Sequence, residues 1–227
     1  MPGETLGNGL SVITVPTGAG RPAVVVAVRT AEPSDVGVPA LLSPAERRRH
    51  RSMAPARAAE FARGRALVRC LVGAALGLPP QRVPLRRRPG GALGLTGTPA
   101  GVSLSHSRRY TAAAYWPAGR VGVDVEEAPA RLDPALVRRC CGERSVLLER
   151  QPAARRAALF ARIWTVQEAC VKATGAGLAG APWRIPVDPT AASGRWIEIN
   201  WYALGDITPV GLAVAVEAPA RSPEEGS

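Results

Sequence analysis

The chain has 227 residues and carries 29 Arg or Lys against 18 Asp or Glu, a formal charge of +11, with 46% apolar residues but only 4% aromatic ones. This composition excludes a disordered tail and predicts an aliphatic core of Ala, Val and Leu. No apolar run approaches the roughly 20 residues of a membrane span, and the first fifteen residues lack a signal peptide's basic and long apolar segments, so a soluble, untargeted, cytoplasmic protein is expected. Cys70, Cys140, Cys141 and Cys170 show neither CxxC spacing nor a histidine cluster and are expected to be structural thiols.

In chain order, the β-branched run at 24–31 predicts a strand. Ser43-Pro44 followed by Glu46 places an N-cap, N1 and N3 residue at the start of a short helix. A longer helix is expected to open at Phe61 and stop at Gly77. The stretch 79–100, rich in Pro, Gly and Arg, reads as loop, with Arg86, Arg87 and Arg88 either at a phosphate site or on a solvated edge. Strands are predicted at 101–105, 111–116 and 121–128. The second half then predicts a short helix beginning near Cys140, a longer helix opening at Phe160 and stopping at Gly177, and strands at 195–204 and 210–217.

The halves resemble each other. At an offset of 97, VVVAVRTA (24–31) lies over VGVDVEEA (121–128), and Ser43 and Glu46-Arg47 lie over Cys140 and Glu143-Arg144; at 99, Phe61-Ala62-Arg63 lies over Phe160-Ala161-Arg162. An α+β fold of two pseudo-symmetric lobes from an internal duplication is expected, residues 1–117 and 118–227, with a ligand cleft between them. Charge is divided unequally: residues 1–120 hold 17 Arg and 5 acids, residues 121–227 hold 12 basic residues and 13 acids. Such a field favours an anionic partner.

In Gly-Val-Asp-Val-Glu the strand period puts Asp124 and Glu126 on one face and Val123 and Val125 on the other. Two adjacent carboxylates repel unless a cation stands between them, and paired oxygens suit Mg²⁺; a solvated edge strand is the plainer alternative. The repeat places Ala27 and Arg29 at the matching first-half positions. Trp164, Glu168 and Lys172 share one helical face at four-residue spacing, Lys172 being the sole lysine among 29 basic residues. A surface ion pair explains Glu168 and Lys172 as simply as a third metal ligand and an anion contact do. His106 lies between Ser105 and Ser107 before Arg108-Arg109, which resembles a phosphate grip; no GxSxG elbow supports a Ser-His-Asp hydrolase.

Together, Ser105-His106-Ser107, Gly122-Val123-Asp124-Val125-Glu126, and Trp164-Thr165-Val166-Gln167-Glu168 through Lys172 and Gly175 resemble the 4'-phosphopantetheinyl transferases. The resemblance is to the long, two-lobed type that activates surfactin synthetase and other peptide or polyketide synthases. LLSPAERRR and FARGRALVR fit its first-lobe helices. The resemblance implies coenzyme A in the cleft, Mg²⁺ held by Asp124, Glu126 and Glu168, and Ser105 and His106 as phosphate contacts. Arg49, Arg57 and Lys172 would be further cofactor contacts, and Glu168 and Lys172 the catalytic acid–base pair. The partner would be an apo acyl or peptidyl carrier protein domain, and a two-lobed chain would work as a monomer, with no nucleic acid or membrane involved.

Three positions depart from the family pattern: Gln167 replaces a lysine beside the helix glutamate, Gly97-Thr98-Pro99 stands where Gly-Lys-Pro or Gly-Arg-Pro often does, and Glu60 replaces an arginine. Two other readings share these residues. A Mg²⁺-dependent phosphohydrolase would use the same acids on water. A basic nucleic-acid-binding module would use the Arg runs 47–51 and 86–88 but leaves Asp124, Glu126 and Glu168 unexplained.

Overall fold

The computed structural model describes residues 4–6, 9–18, 22–30, 37–205 and 210–217. Valine-rich β3 (Val24–Thr30) lies at the centre of a five-stranded antiparallel sheet, ordered β1 (Glu4–Leu6), β2 (Leu10–Val15), β3, β7 (Tyr110–Trp116), β6 (Gly101–His106). A second antiparallel sheet runs β8 (Val121–Glu126), β11 (Gly211–Glu217), β10 (Ile199–Ala203), β9 (Ser193–Trp196). Strand alternation sorts their side chains into layers. Val24, Val26 and Val28 meet Val121, Val123, Val125, Leu212 and Val214 in a core between the sheets. Ala27, on the other face of β3, packs with Leu67, Val68, Leu71 and Val72 of α2 (Pro55–Leu76). Ala213 and Ala215 likewise turn from the central core toward Ile163, Val166 and Cys170 of α5 (Ala153–Thr174). The order of layers is therefore helix, sheet, sheet, helix. Among the described residues no helix is long and apolar enough to cross a membrane.

The short helix α1 (Pro44–Arg51) begins as its sequence requires, with a reciprocal capping box between Ser43 and Glu46. Glu46 also accepts from Arg69 Nε at 2.5 Å, and Arg69 donates on to the carbonyls of Pro80 and Val83, so one buried arginine ties α1 and the 80–83 turn to α2.

Several boundaries differ from the sequence reading. Neither Phe61 nor Phe160 opens its helix: α2 starts at Pro55, a proline in its first turn, and α5 starts after Pro152, because Ala and Arg propagate a helix without interruption. Gly77 does close α2 at φ 65°, but α5 closes on Gly175 at φ 75°, two residues before Gly177. Cys140 lies in the last turn of α3 (Pro134–Cys141), which Asp133 caps; a 3₁₀ turn and the short α4 (Ser145–Glu149) follow. The stretch 79–100 is not all loop, since β4 (Leu85–Arg87) and β5 (Leu93–Leu95) pair as a hairpin. The strand expected at 195–204 is itself a hairpin, β9 to β10, turning at Ile197 with φ 52°. A β-branched residue at positive φ carries none of the usual turn signals.

Gly122 lets β8 lie directly on α5: a Cβ there would fall against the Ala169 carbonyl and within 2.6 Å of the Ala173 nitrogen. Those are backbone atoms and cannot rotate away. Gly122→Ala is expected to lower unfolding free energy by about 1–3 kcal/mol, read from the urea midpoint; an unchanged midpoint would mean that strand and helix are not in register as described.

Candidate active site at the seam between the sheets

Strands β6 and β8 are the edges at which the two sheets meet, and they belong to different hydrogen-bonded sheets. Side chains join them instead. Ser103 and Ser105 of β6, and Ser107 just past its end, recur with the strand period. Ser103 Oγ accepts from Val123 N at 3.0 Å, Ser105 Oγ donates to Asp124 Oδ1 at 2.7 Å, and Ser107 Oγ donates to Glu126 Oε1 at 3.2 Å. Glu127 N donates back to Ser107 Oγ at 3.3 Å.

The ammonium of Lys172 completes the seam from α5. Its Nζ donates to Asp124 Oδ1 at 2.6 Å, Ser105 Oγ at 3.0 Å and the Val123 carbonyl at 3.3 Å. Three partners match three ammonium protons. Trp164, Glu168 and Lys172 share a helix face as expected, Trp164 packing partly buried against the core between α5 and its sheet. Burial raises the Glu168 pKa, the charge of Asp124 raises it further, and Lys172 opposes both. Glu126 is also raised, first by burial, with the Ser107 hydrogen bond pulling down and the charges of Asp124 and Glu127 pushing up.

The structure thus gathers Ser105, Asp124, Glu126, Glu168 and Lys172 into one electrostatic unit. His106 lies beside it, its ring against Gly64 of α2. Burial lowers the His106 pKa; Lys172, Arg63 and Arg57 lower it further against the pull of Glu60. Arg57 itself is largely exposed and pairs with Glu60 at 3.5 Å. Arg49 lies over the Phe61 ring, 5.3 Å from its centroid, and Arg65 lies over the same ring at 5.4 Å.

Gln167 does not face the seam. Its side chain is fully buried, donating to the carbonyls of Cys140 at 2.8 Å and Ile185 at 2.9 Å. One residue along a helix turns the side chain by about 100°, so position 167 faces α3 while Glu168 faces the seam. Gln167 therefore does not line the cleft.

Beside the seam lies a cleft of about 690 Å³. Its walls are Ser103 and Leu104 of β6, the end of α5 from Lys172, the turn of the β4–β5 hairpin, and Arg65, Arg88 and Arg120. The sequence reading missed Ser103, Arg65 and Arg120 here. Ser103 was legible in the Ser-x-Ser-x-Ser alternation, whereas the two arginines had no local mark among so many others.

Among the described residues no three acid, histidine or cysteine side chains converge as a metal-holding group. The chemistry of the donors nonetheless suits a hard divalent ion: Glu126 and Glu168 are each disfavoured as anions by the charge of Asp124, which a cation relieves. Lys172 supplies that countercharge to Asp124 in this structure.

Ser103→Ala would leave the Val123 amide without its side-chain acceptor at a buried edge. A loss of about 1–3 kcal/mol in unfolding free energy is expected by chemical denaturation, and wild-type stability would show that the hydroxyl does not carry the seam.

A search of curated proteins gives no match to this chain. Residues 120–207, the segment that holds Asp124, Glu126, Glu168 and Lys172, match the family model of the 4'-phosphopantetheinyl transferase superfamily.

Proposed function

We propose that this chain moves the 4'-phosphopantetheine arm of coenzyme A onto a serine of an apo acyl or peptidyl carrier protein, releasing adenosine 3',5'-bisphosphate. The family match supports phosphopantetheine transfer in general. The observation that carries the finer reading is the seam itself, where Lys172 bonds Asp124, within electrostatic reach of Glu126 and Glu168, and also lines a cleft with Arg65, Arg88 and Arg120. Nucleotide and pyrophosphate are anionic, and such a wall is complementary to them.

Asp124, Glu126 and Glu168 would hold Mg²⁺, which when bound supplies charge neutralisation at the pyrophosphate oxygens. Glu168 takes the proton of the carrier serine hydroxyl as its oxygen bonds to the β-phosphorus. Its place at the seam, within electrostatic reach of Asp124 and Lys172, suits it to that role. The bond from that phosphorus to the leaving 5'-phosphate oxygen breaks, and Lys172, already at the cleft wall, stabilises the charge left there. Ser105 and His106 with Arg57 serve the phosphates of the nucleotide, and Arg49 extends the basic field from α1.

The same reading takes residues 1–117 and 118–227 as duplicated lobes, the two-lobed type that acts on polyketide, nonribosomal peptide and fatty acid synthases as a monomer. In its support, each sheet packs on one 22-residue helix, and the left-handed glycines that close those helices, Gly77 and Gly175, stand 98 positions apart.

Incubation with coenzyme A, Mg²⁺ and a panel of apo carrier domains is expected to add one phosphopantetheine to a carrier, read as intact mass. Glu168→Gln and Lys172→Ala are each expected to slow it by about 10²–10⁴-fold. Hydrolysis of coenzyme A without carrier modification would favour the phosphohydrolase, and full turnover in both variants would remove these roles.

A further inference from the structure

Strand β6 serves different neighbours with its two faces. Ser103 and Ser105 bond to β8 at the seam, whereas Leu104 and His106, offset by one residue, turn to α2. There they meet Gly64 closely: a Cβ on that residue would stand 2.5 Å from His106 Cε1, 2.9 Å from His106 Nε2 and 2.9 Å from Leu104 Cδ2. His106 Nδ1 lies 3.5 Å from Thr111 Oγ1 of β7. The imidazole is therefore bounded by bare helix backbone and by a threonine hydroxyl.

Glycine weakens a helix interior relative to alanine, and α2 uses alanine on either side, at Ala62 and Ala66. Gly73, the other glycine within α2, has a backbone reason, since a Cβ there would fall 2.6 Å from the Leu78 carbonyl oxygen. At Gly64 the three nearest atoms all belong to the side chains of His106 and Leu104. Side chains can rotate aside where backbone cannot, so a methyl group at position 64 spares the fold and moves the ring. Direction matters for this ring. Burial and the charges of Lys172 from α5 and of Arg63 and Arg57 from α2 favour its neutral form against the pull of Glu60. A neutral imidazole has one N–H donor, in the ring plane, and its hydrogen bond weakens steeply when misaligned.

We infer that Gly64 is a positioning residue for His106: its missing side chain opens the slot in α2 that fixes the plane of the imidazole, so that the ring is aimed at a phosphate oxygen of the bound nucleotide. The inference rests on the reading of His106 as a phosphate contact and deepens it by naming what aims the ring. One strand thereby orients both kinds of group, the acids through the serines of one face and the imidazole through the glycine packed against the other.

Titration calorimetry of the full chain with coenzyme A, on the wild type, Gly64→Ala, His106→Ala and the double variant, tests this together with NMR of the ring. The chain has two histidines, so His50→Gln assigns the His106 resonances. In the wild type a nuclear Overhauser contact is expected between the His106 Cε1 proton and the Gly64 Cα protons, and the ring resonances should move in Gly64→Ala. Each single variant is expected to weaken coenzyme A by about tenfold. The double variant should bind within about twofold of His106→Ala, because the glycine acts through the ring. A loss on Gly64→Ala that persists at full size without the imidazole would assign the glycine to folding and overturn the inference. Absence of the Overhauser contact, or undiminished affinity in Gly64→Ala, would overturn it while leaving the coenzyme A reading in place. Absence of coenzyme A binding by the wild type would overturn that reading and the inference with it.

Discussion

Everything at the candidate site depends on how two sheet edges meet without a backbone ladder between them. An exposed edge peptide must find partners or lose the free energy of its hydrogen bonds. At Val123 the partners are a serine hydroxyl for the N–H and a lysine ammonium for the C=O. The solution fixes more than the peptide. Ser105 and Lys172, once drawn to the seam, also hold Asp124 in place, and Ser107 does the same for Glu126. Structural stitching and candidate chemistry are thus the same set of bonds, which explains why strongly polar groups are tolerated beside a core of Val121, Val123 and Val125.

The charge distribution follows from this arrangement. The carboxylates come from β8 and α5 and the cleft arginines mainly from the first half of the chain, with Lys172 belonging to both groups. In a chain that otherwise uses arginine, the seam holds its single lysine. A planar guanidinium carries its donors in one plane, whereas the three protons of an ammonium diverge toward a carboxylate, a hydroxyl and a carbonyl on two strands. Around it, Gly122 admits β8 against the backbone of α5, so that Asp124 and Lys172 come within hydrogen-bonding distance.

Much of this was legible in the residues themselves. Alternation put Asp124 and Glu126 on one face and the valines on the other, four-residue spacing put Glu168 above Lys172, and Ser43 with Glu46 marked the start of α1. What escaped was set by tertiary contact or by weak local signals. Helices rich in Ala and Arg ran several residues earlier than their aromatic landmarks, with Pro55 and Pro152 as the only boundary marks. Ile197 turns a hairpin without a glycine, and a Pro/Gly-rich stretch contains a hairpin whose side chains reach the cleft. The direction of Gln167 was invisible because a helix face acquires a meaning only from what packs on it.

The central claim is that the seam which joins the sheets is also where coenzyme A binds. Amide hydrogen exchange with and without coenzyme A and Mg²⁺ tests it most directly, since exchange reads local opening segment by segment. Protection is expected to rise together in residues 101–107, 121–126 and 166–175, with no comparable change in residues 193–203 of the distant β9–β10 hairpin. Protection confined to other segments, with the seam unchanged, would contradict the account.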